Sequence, residues 1–314
     1  MRIAPNSRAP VLLFAALALV SACSDVAQEA EPTFETLVTA EWLSQHINDP
    51  DLVVLDCTVV IEMGESGGFT SVSGRAQYEE GHIPSAGFAD LTSELADGES
   101  PLQYALPTPE QFAATMGALG VGDDSRVVLY DAGGSAWAAR VWWMLRWVGF
   151  DRAALLDGGL AAWTAEDRPL STELPNRSGK TLTPSPRPEL IADRDEVLAA
   201  MENDEVVLVD VLPGEHYSGE MAFYARPGHI PTAINISVQS LTDESGRYRS
   251  FEELVGLHGG DRTARHITYC GGGIAASSSA FVMTRLGFED VAVYAASLQE
   301  WASDPENPME VGMR

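Results

Sequence analysis

Among the residue types that can carry covalent chemistry, one cysteine has neighbours suited to a nucleophile. His266-Ile267-Thr268-Tyr269-Cys270 is an apolar-leaning run, three glycines follow, and apolar spacing resumes at Ile274, Phe281 and Leu286. That pattern predicts a strand, a tight loop and a helix, with Cys270 at the carboxyl end of the strand, where open α/β sheets place their sites. Three consecutive glycines are entropically unfavourable, so the loop must need unusual dihedrals or a close approach by another group. The N–H groups of Gly271, Gly272, Gly273, Ile274 and Ala275 can then converge with a helix start to make a hollow that favours anions, a thiolate included. A buried strand cysteine before a flexible loop is the plainer reading of the same residues.

The elements that would hold this loop occur twice. Leu52-Val53-Val54-Leu55-Asp56 is echoed by Val206-Val207-Leu208-Val209-Asp210, and Gly81-His82-Ile83-Pro84 by Gly228-His229-Ile230-Pro231. Val128 to Gly134 is echoed by Ile267 to Gly273, and Ala154 to Leu156 by Val291 to Tyr294. Thr108-Pro109-Glu110-Gln111 and Ser250-Phe251-Glu252-Glu253 each read as a capping box opening a helix. Repetition in one order indicates two copies of one α/β unit. Asp131 stands where the second copy has Cys270, so one half reacts and the other supports it. The twin placement of His82 with His229, and of Asp56 with Asp210, assigns those residues to turns and loop anchors. The helix carrying Trp137, Arg140, Trp142 and Trp143 reads as packing surface.

The predicted organisation is a signal peptide over 1–22, a tether over 23–32, a first domain over 33–166, a linker over 167–188 and a second domain over 189–314. Glu62 to Ser73 reads as a long loop. Arg2 and Arg8 precede the apolar run Val11 to Val20, and Val20-Ser21-Ala22-Cys23 closes it with small residues. This resembles a bacterial lipoprotein signal cleaved before Cys23, with Ser24 favouring the periplasmic face of the outer membrane over retention. Cys57 reads as a buried thiol, with a reversible bridge to Cys270 as the alternative.

Composition narrows the partners. In 314 residues, 46 acidic side chains against 19 basic ones give a formal charge of -27. Such a field opposes nucleic acids and anionic membrane surfaces, so an anionic substrate needs a local positive site. The histidines lack ligand spacing, so no metal is expected, and no dinucleotide fingerprint follows a strand. A cysteine-dependent phosphatase needs an anion loop closed by arginine; Ala276 occupies that place.

Several motifs now combine: Arg-x-x-Tyr-x-x-Gly-His-Ile-Pro-x-Ala from Arg75, Val-Trp-Trp-Met from Val141, Leu-Asp-Gly-Gly-x-x-x-Trp ending at Trp163, Arg-x-Gly-His-Ile-Pro from Arg226, and the cysteine loop. Over roughly Thr33 to Pro305 the chain resembles the tandem-domain rhodaneses, the thiosulfate and 3-mercaptopyruvate sulfurtransferases. The resemblance implies two α/β domains, each a small central parallel sheet with helices on both faces, and no cofactor. It implies that Cys270 takes sulfane sulfur from a small anionic donor as a persulfide and passes it to a thiol or cyanide. It also places Arg226 near the anionic part of the donor. A noncatalytic sulfur carrier or binding lipoprotein is the alternative. Departures from the pattern are His216 where a second arginine is usual, Gly271 and Gly272 where cations or serine follow the cysteine, and Ala295-Ala296-Ser297-Leu298 downstream.

Overall fold

The computed structural model describes residues 1, 35–63 and 69–313. Apart from Met1, the signal segment, Cys23 and the tether lie outside the described residues. The first half runs β1 (Leu37–Val38), α1 (Ala40–His46), β2 (Leu52–Asp56), β3 (Val59–Met63), β4 (Phe69–Ser73), α2 (Arg75–Glu80), β5 (Gly87–Phe88), α3 (Pro109–Ala118), β6 (Arg126–Tyr130), α4 (Ala136–Trp147), β7 (Ala153–Leu156) and α5 (Gly159–Ala165). The second runs β8 (Ile191–Ala192), α6 (Arg194–Ala200), β9 (Val206–Asp210), α7 (Gly214–Tyr217), β10 (Ile234–Asn235), α8 (Phe251–Leu257), β11 (Arg265–Tyr269), α9 (Ile274–Arg285), β12 (Asp290–Tyr294) and α10 (Ser297–Trp301).

The strand orders are β1-β7-β6-β2-β5 and β8-β12-β11-β9-β10, parallel throughout. Element for element they are one topology repeated. Alternate residues of each central strand face opposite ways, and both faces are covered, which is why Leu52 to Asp56 is buried at every position. Leu52, Val54 and Val128 join a core of the first half alone; Leu208, Ile267 and Ala292 do the same in the second. The opposite faces, with Val53, Leu55 and Leu129 from one sheet and Val209 and Val293 from the other, share a single core. Here α4 packs on α9, with Trp142 edge-on to Phe281 at 4.9 Å. The aromatic run of α4 is therefore the surface that joins the halves, within one compact unit.

Local chemistry sets the helix starts. Thr108 and Ser250 form both halves of their capping boxes, with Gln111 and Glu253 bonding back to the cap. Residues 167–187 contain no helix or strand longer than an isolated bridge and run along the first half, where Lys180 N–H reaches the Gly117 carbonyl and Ser185 N–H that of Val148.

One sequence expectation needs correction. Residues 62–73 are not simply a loop, because β3 and β4 pair antiparallel with Ile61 opposite Ser71. The glycines give the segment its loop character, and they fall between the strands, while the β-branched Thr70 and Val72 are the strand formers of β4.

Candidate active site

Cys270 follows the last residue of β11 and is 3% exposed. Its backbone is held from the next loop: Cys270 N–H donates to Ser297 Oγ at 3.1 Å, and Leu298 N–H donates to the Cys270 carbonyl at 3.1 Å. Ser297 in turn donates to the Tyr294 carbonyl at 2.7 Å and takes a left-handed φ of 52°. A serine kept in that region reflects a position fixed by its surroundings. It belongs to the segment that departs from the family pattern, a departure that marks the place but not this role.

Two glycines of the loop have geometric reasons. Gly273 caps α9 at φ 82°, and its N–H donates to Cys270 Sγ at 3.2 Å. At Gly271 a side chain would collide with the Tyr224 hydroxyl, which crosses the loop at that point. Burial first, and then the charges of Cys270 and Asp210, push the Tyr224 hydroxyl well above its ordinary range. Ile274 and Ala275 open α9, so their N–H groups have no partner inside the helix. Of the five predicted loop residues, Gly271, Gly272, Ile274 and Ala275 line the same cleft as Cys270, and Gly273 reaches its sulfur through its N–H.

The first half shows what this loop can hold. Asp131 is fully buried, and its Oδ1 accepts from Gly133 N–H at 2.9 Å and Ser135 N–H at 3.1 Å. Its Oδ2 accepts from Trp137 and Ala138 N–H, both at 3.0 Å. Burial raises the carboxyl to about 6 against the pull of the Ala138, Gly133 and Ser135 N–H groups.

Arg140 reaches the cysteine loop from α4 of the other half. It is 0% exposed; Nη2 donates to the Tyr104 carbonyl at 3.0 Å, Nη1 lies 3.5 Å from the Gly273 carbonyl, and Nε has no partner. Burial pulls the guanidinium down to about 10, opposed by the charge of Cys270. No carboxylate lies within ion-pairing distance of it among the described residues. Sequence reasoning filed this residue under packing.

Arg226 goes elsewhere. Its guanidinium donates to the carbonyls of Ala302 (3.0 Å), Asn307 (2.7 Å), Trp301 (3.1 Å) and Asp304 (2.6 Å), and it is not part of the cleft at Cys270. The structure makes it a clamp on the carboxyl-terminal segment, because four carbonyls converge there and take four of the fork's five N–H donors. His82 faces the carbonyls of Tyr78 and Glu173, and His229 stacks on Tyr217 at 3.6 Å while facing its carbonyl, as turn residues should. Cys57 and Cys270 are both free and buried. Burial, with the charges of Asp56 and Asp131 adding to it, pushes the Cys57 thiol far up and out of reactive range. Among the described residues no cluster of three or more His, Cys, Asp or Glu side chains is placed to hold a metal.

A cleft of about 580 Å³ opens over Cys270, with walls from both halves. Tyr104 and Trp137 come from the first, and Leu212, Phe223 and Tyr224 from the second, while His216 stands at its side. A thiol at the head of a strand, with the Gly273 N–H on its sulfur and a cleft above it, is the arrangement of an enzyme that transfers a group through a cysteine.

Comparison with known proteins narrows the class. The profile of the rhodanese-like domain matches residues 39–166 and 193–304. The chain is 33% identical over 288 residues to a probable 3-mercaptopyruvate sulfurtransferase of Pseudomonas aeruginosa, covering 88% of this chain and 98% of that one. It is 32% identical over 272 residues to a thiosulfate sulfurtransferase of Azotobacter vinelandii, covering 86% and 94%. The crystal structure of SseA from Escherichia coli, a 3-mercaptopyruvate sulfotransferase, superposes with a TM-score of 0.74 at 30% identity, covering 83% of this chain and 98% of that one. The chain belongs to the rhodanese family. It is a sulfurtransferase with two rhodanese-like domains, moving sulfane sulfur from an anionic donor through a cysteine persulfide to an acceptor.

Proposed function

We propose that Cys270 is the persulfide-forming residue and that thiosulfate or 3-mercaptopyruvate is the donor. The observation that carries this reading is the Gly273 N–H on Cys270 Sγ, in a loop whose duplicate already holds a carboxylate. The thiolate attacks the outer sulfur of thiosulfate, the S–S bond breaks, and sulfite leaves with the electron pair. With 3-mercaptopyruvate the C–S bond breaks instead, and the departing enolate takes a proton from water to give pyruvate. Ala275 and Ala276 N–H groups, the counterparts of those that bind Asp131 Oδ2, would receive the outer sulfur or the donor's charge. An acceptor then attacks that sulfur and returns the electron pair to Cys270, so turnover is ping-pong.

The test is turnover with each donor side by side, with the persulfide detected by intact mass. Cys270→Ser should fold and neither gain sulfur nor turn over; a fully active variant sinks the assignment. Negligible turnover by the native protein, alongside tight binding of a protein partner, would favour a sulfur carrier, a reading motivated by the cation-free loop. The pattern of Arg2, Arg8 and the run ending at Cys23 supports a lipid anchor in the cell envelope. Lipid labelling of the full chain that persists in Cys23→Ser would refute it.

A further inference from the structure

Tyrosine hydroxyls inside this fold hold its backbone together. Tyr78 donates to the Ala86 carbonyl and Tyr217 to the Ala233 carbonyl, both at 2.7 Å, while Tyr130 and Tyr269 accept from the N–H groups of Ile83 and Ile230. Tyr224 is different. It lies between α7 and β10 in a stretch without helix or strand, and its ring packs on the core of the second half. Its side chain forms part of the wall of the cleft over Cys270, and its hydroxyl has no hydrogen-bond partner among the described residues.

The place of that hydroxyl is defined by what it excludes. A Cβ on Gly271 would overlap it, and the nearest atoms to such a Cβ all belong to Tyr224. Gly271 does not have the left-handed φ of Gly273, so its backbone would accept a side chain. The residue after Cys270 must be glycine because a hydroxyl from another segment occupies the space of its side chain. Burial, and then the charges of Cys270 and Asp210, keep that phenol protonated. It therefore presents a hydrogen-bond donor, not a second anion, beside the nucleophile.

We propose that Tyr224 is a catalytic residue whose hydroxyl donates a hydrogen bond to the sulfur being transferred. This rests on the reading of Cys270 as the persulfide-forming residue. In loading, the thiolate must approach the outer sulfur of an anionic donor, and like charges resist that approach. When the S–S bond of thiosulfate or the C–S bond of 3-mercaptopyruvate breaks, the leaving group takes the electron pair. The outer sulfur, now bonded to Sγ, then carries a full negative charge. A fixed neutral donor stabilises that charge as it concentrates on one atom. No proton leaves Tyr224. Because the hydrogen bond is stronger in the transition state than in the bound donor, its loss should lower kcat more than it raises KM.

Tyr224→Phe removes the hydroxyl and keeps the ring. The native chain is first shown by intact mass and peptide mapping to carry one added sulfur on Cys270. Single-turnover loading from saturating thiosulfate should then slow by at least about tenfold in Tyr224→Phe, with an unfolding midpoint near the native one. Moving the hydroxyl separates chemistry from packing. Gly271→Ser alone collides with Tyr224 and should lose loading. Added to Tyr224→Ala, Gly271→Ser sets a hydroxyl near the vacated place and should recover loading by at least about threefold, whereas Gly271→Ala should not. Loading at the native rate in folded Tyr224→Phe overturns the proposal. So does equal recovery by Gly271→Ala, which would make Tyr224 a wall that only fills space. A native chain that takes no sulfur on Cys270 from either donor refutes the reading of the site and the role of Tyr224 with it.

Discussion

Asp131 and Cys270 head two copies of one loop, and the copy with aspartate is longer by one residue. Ser135, four residues after Asp131, caps α4, whereas Gly273, three after Cys270, caps α9; both caps are left-handed. In each copy the cap residue's N–H donates to the side chain at the loop's head, at 3.1 Å to Asp131 and 3.2 Å to Cys270. The carboxylate also takes first-turn donors of its helix, from Trp137 and Ala138 N–H, both at 3.0 Å.

Asp131→Asn tests the cradle without touching the nucleophile. An amide must turn its NH2 toward N–H donors, so at least one buried pair is lost, at about 1–3 kcal/mol. The comparison belongs at pH 8, because burial raises Asp131 to about 6. An unfolding midpoint equal to that of the native chain would show that the loop does not prefer an anion.

Arg226→Gln distinguishes a clamp from a donor site. Losing most of four charge-assisted bonds to carbonyls should destabilise the fold by about 2–4 kcal/mol and loosen residues 302–307. Because Arg226 does not line the cleft, KM for either donor should stay near the native value. A large rise in KM with unchanged stability would restore the role that the resemblance implied.

These residues show what could be read from the sequence. The duplication, the caps and the cysteine loop were legible because each is a local pattern: strand runs, Thr108 with Gln111, glycines after Cys270. Arg226 was not, because its partners lie 75–81 positions away and only the folded chain brings those carbonyls together. Arg140 hid within an aromatic helix, since periodicity marks a buried face but does not say that the other half's loop lies against it. Ser297 carried no signal of its role, which is a single hydroxyl at an unusual φ.

Arg140 should act on Cys270 through the loop as a positioning residue. Its buried charge has the cysteine as its opposing partner, and Tyr224, Tyr104 and His216 are the other titratable groups facing that thiol across the cleft. Arg140→Gln should slow persulfide formation at Cys270 by about tenfold with the donor KM little changed, and Arg140→Lys should recover part of the loss. A rise in KM with unchanged kcat would make Arg140 a binding residue, and no slowing in a folded variant would dismiss the charge.

Asp210 makes stability depend on pH. It ends β9, and its Oδ1 accepts from Leu212 N–H at 2.8 Å and so fixes the start of one cleft wall. Burial raises it to about 7, against the pull of that N–H and of the Tyr269 hydroxyl, from about 3.9 in an unfolded chain. Between those values the folded state holds a proton that the unfolded state has released, so this contribution is fully present below about pH 4 and is lost as pH rises through about 7. Asp210→Asn stays neutral throughout. The stability of the native chain relative to Asp210→Asn should therefore fall by up to ~4 kcal/mol from pH 4 to pH 8. Paired denaturant titrations at both ends measure the difference, in which the other buried carboxyls cancel; parallel pH profiles for the two proteins would show that Asp210 folds already ionised.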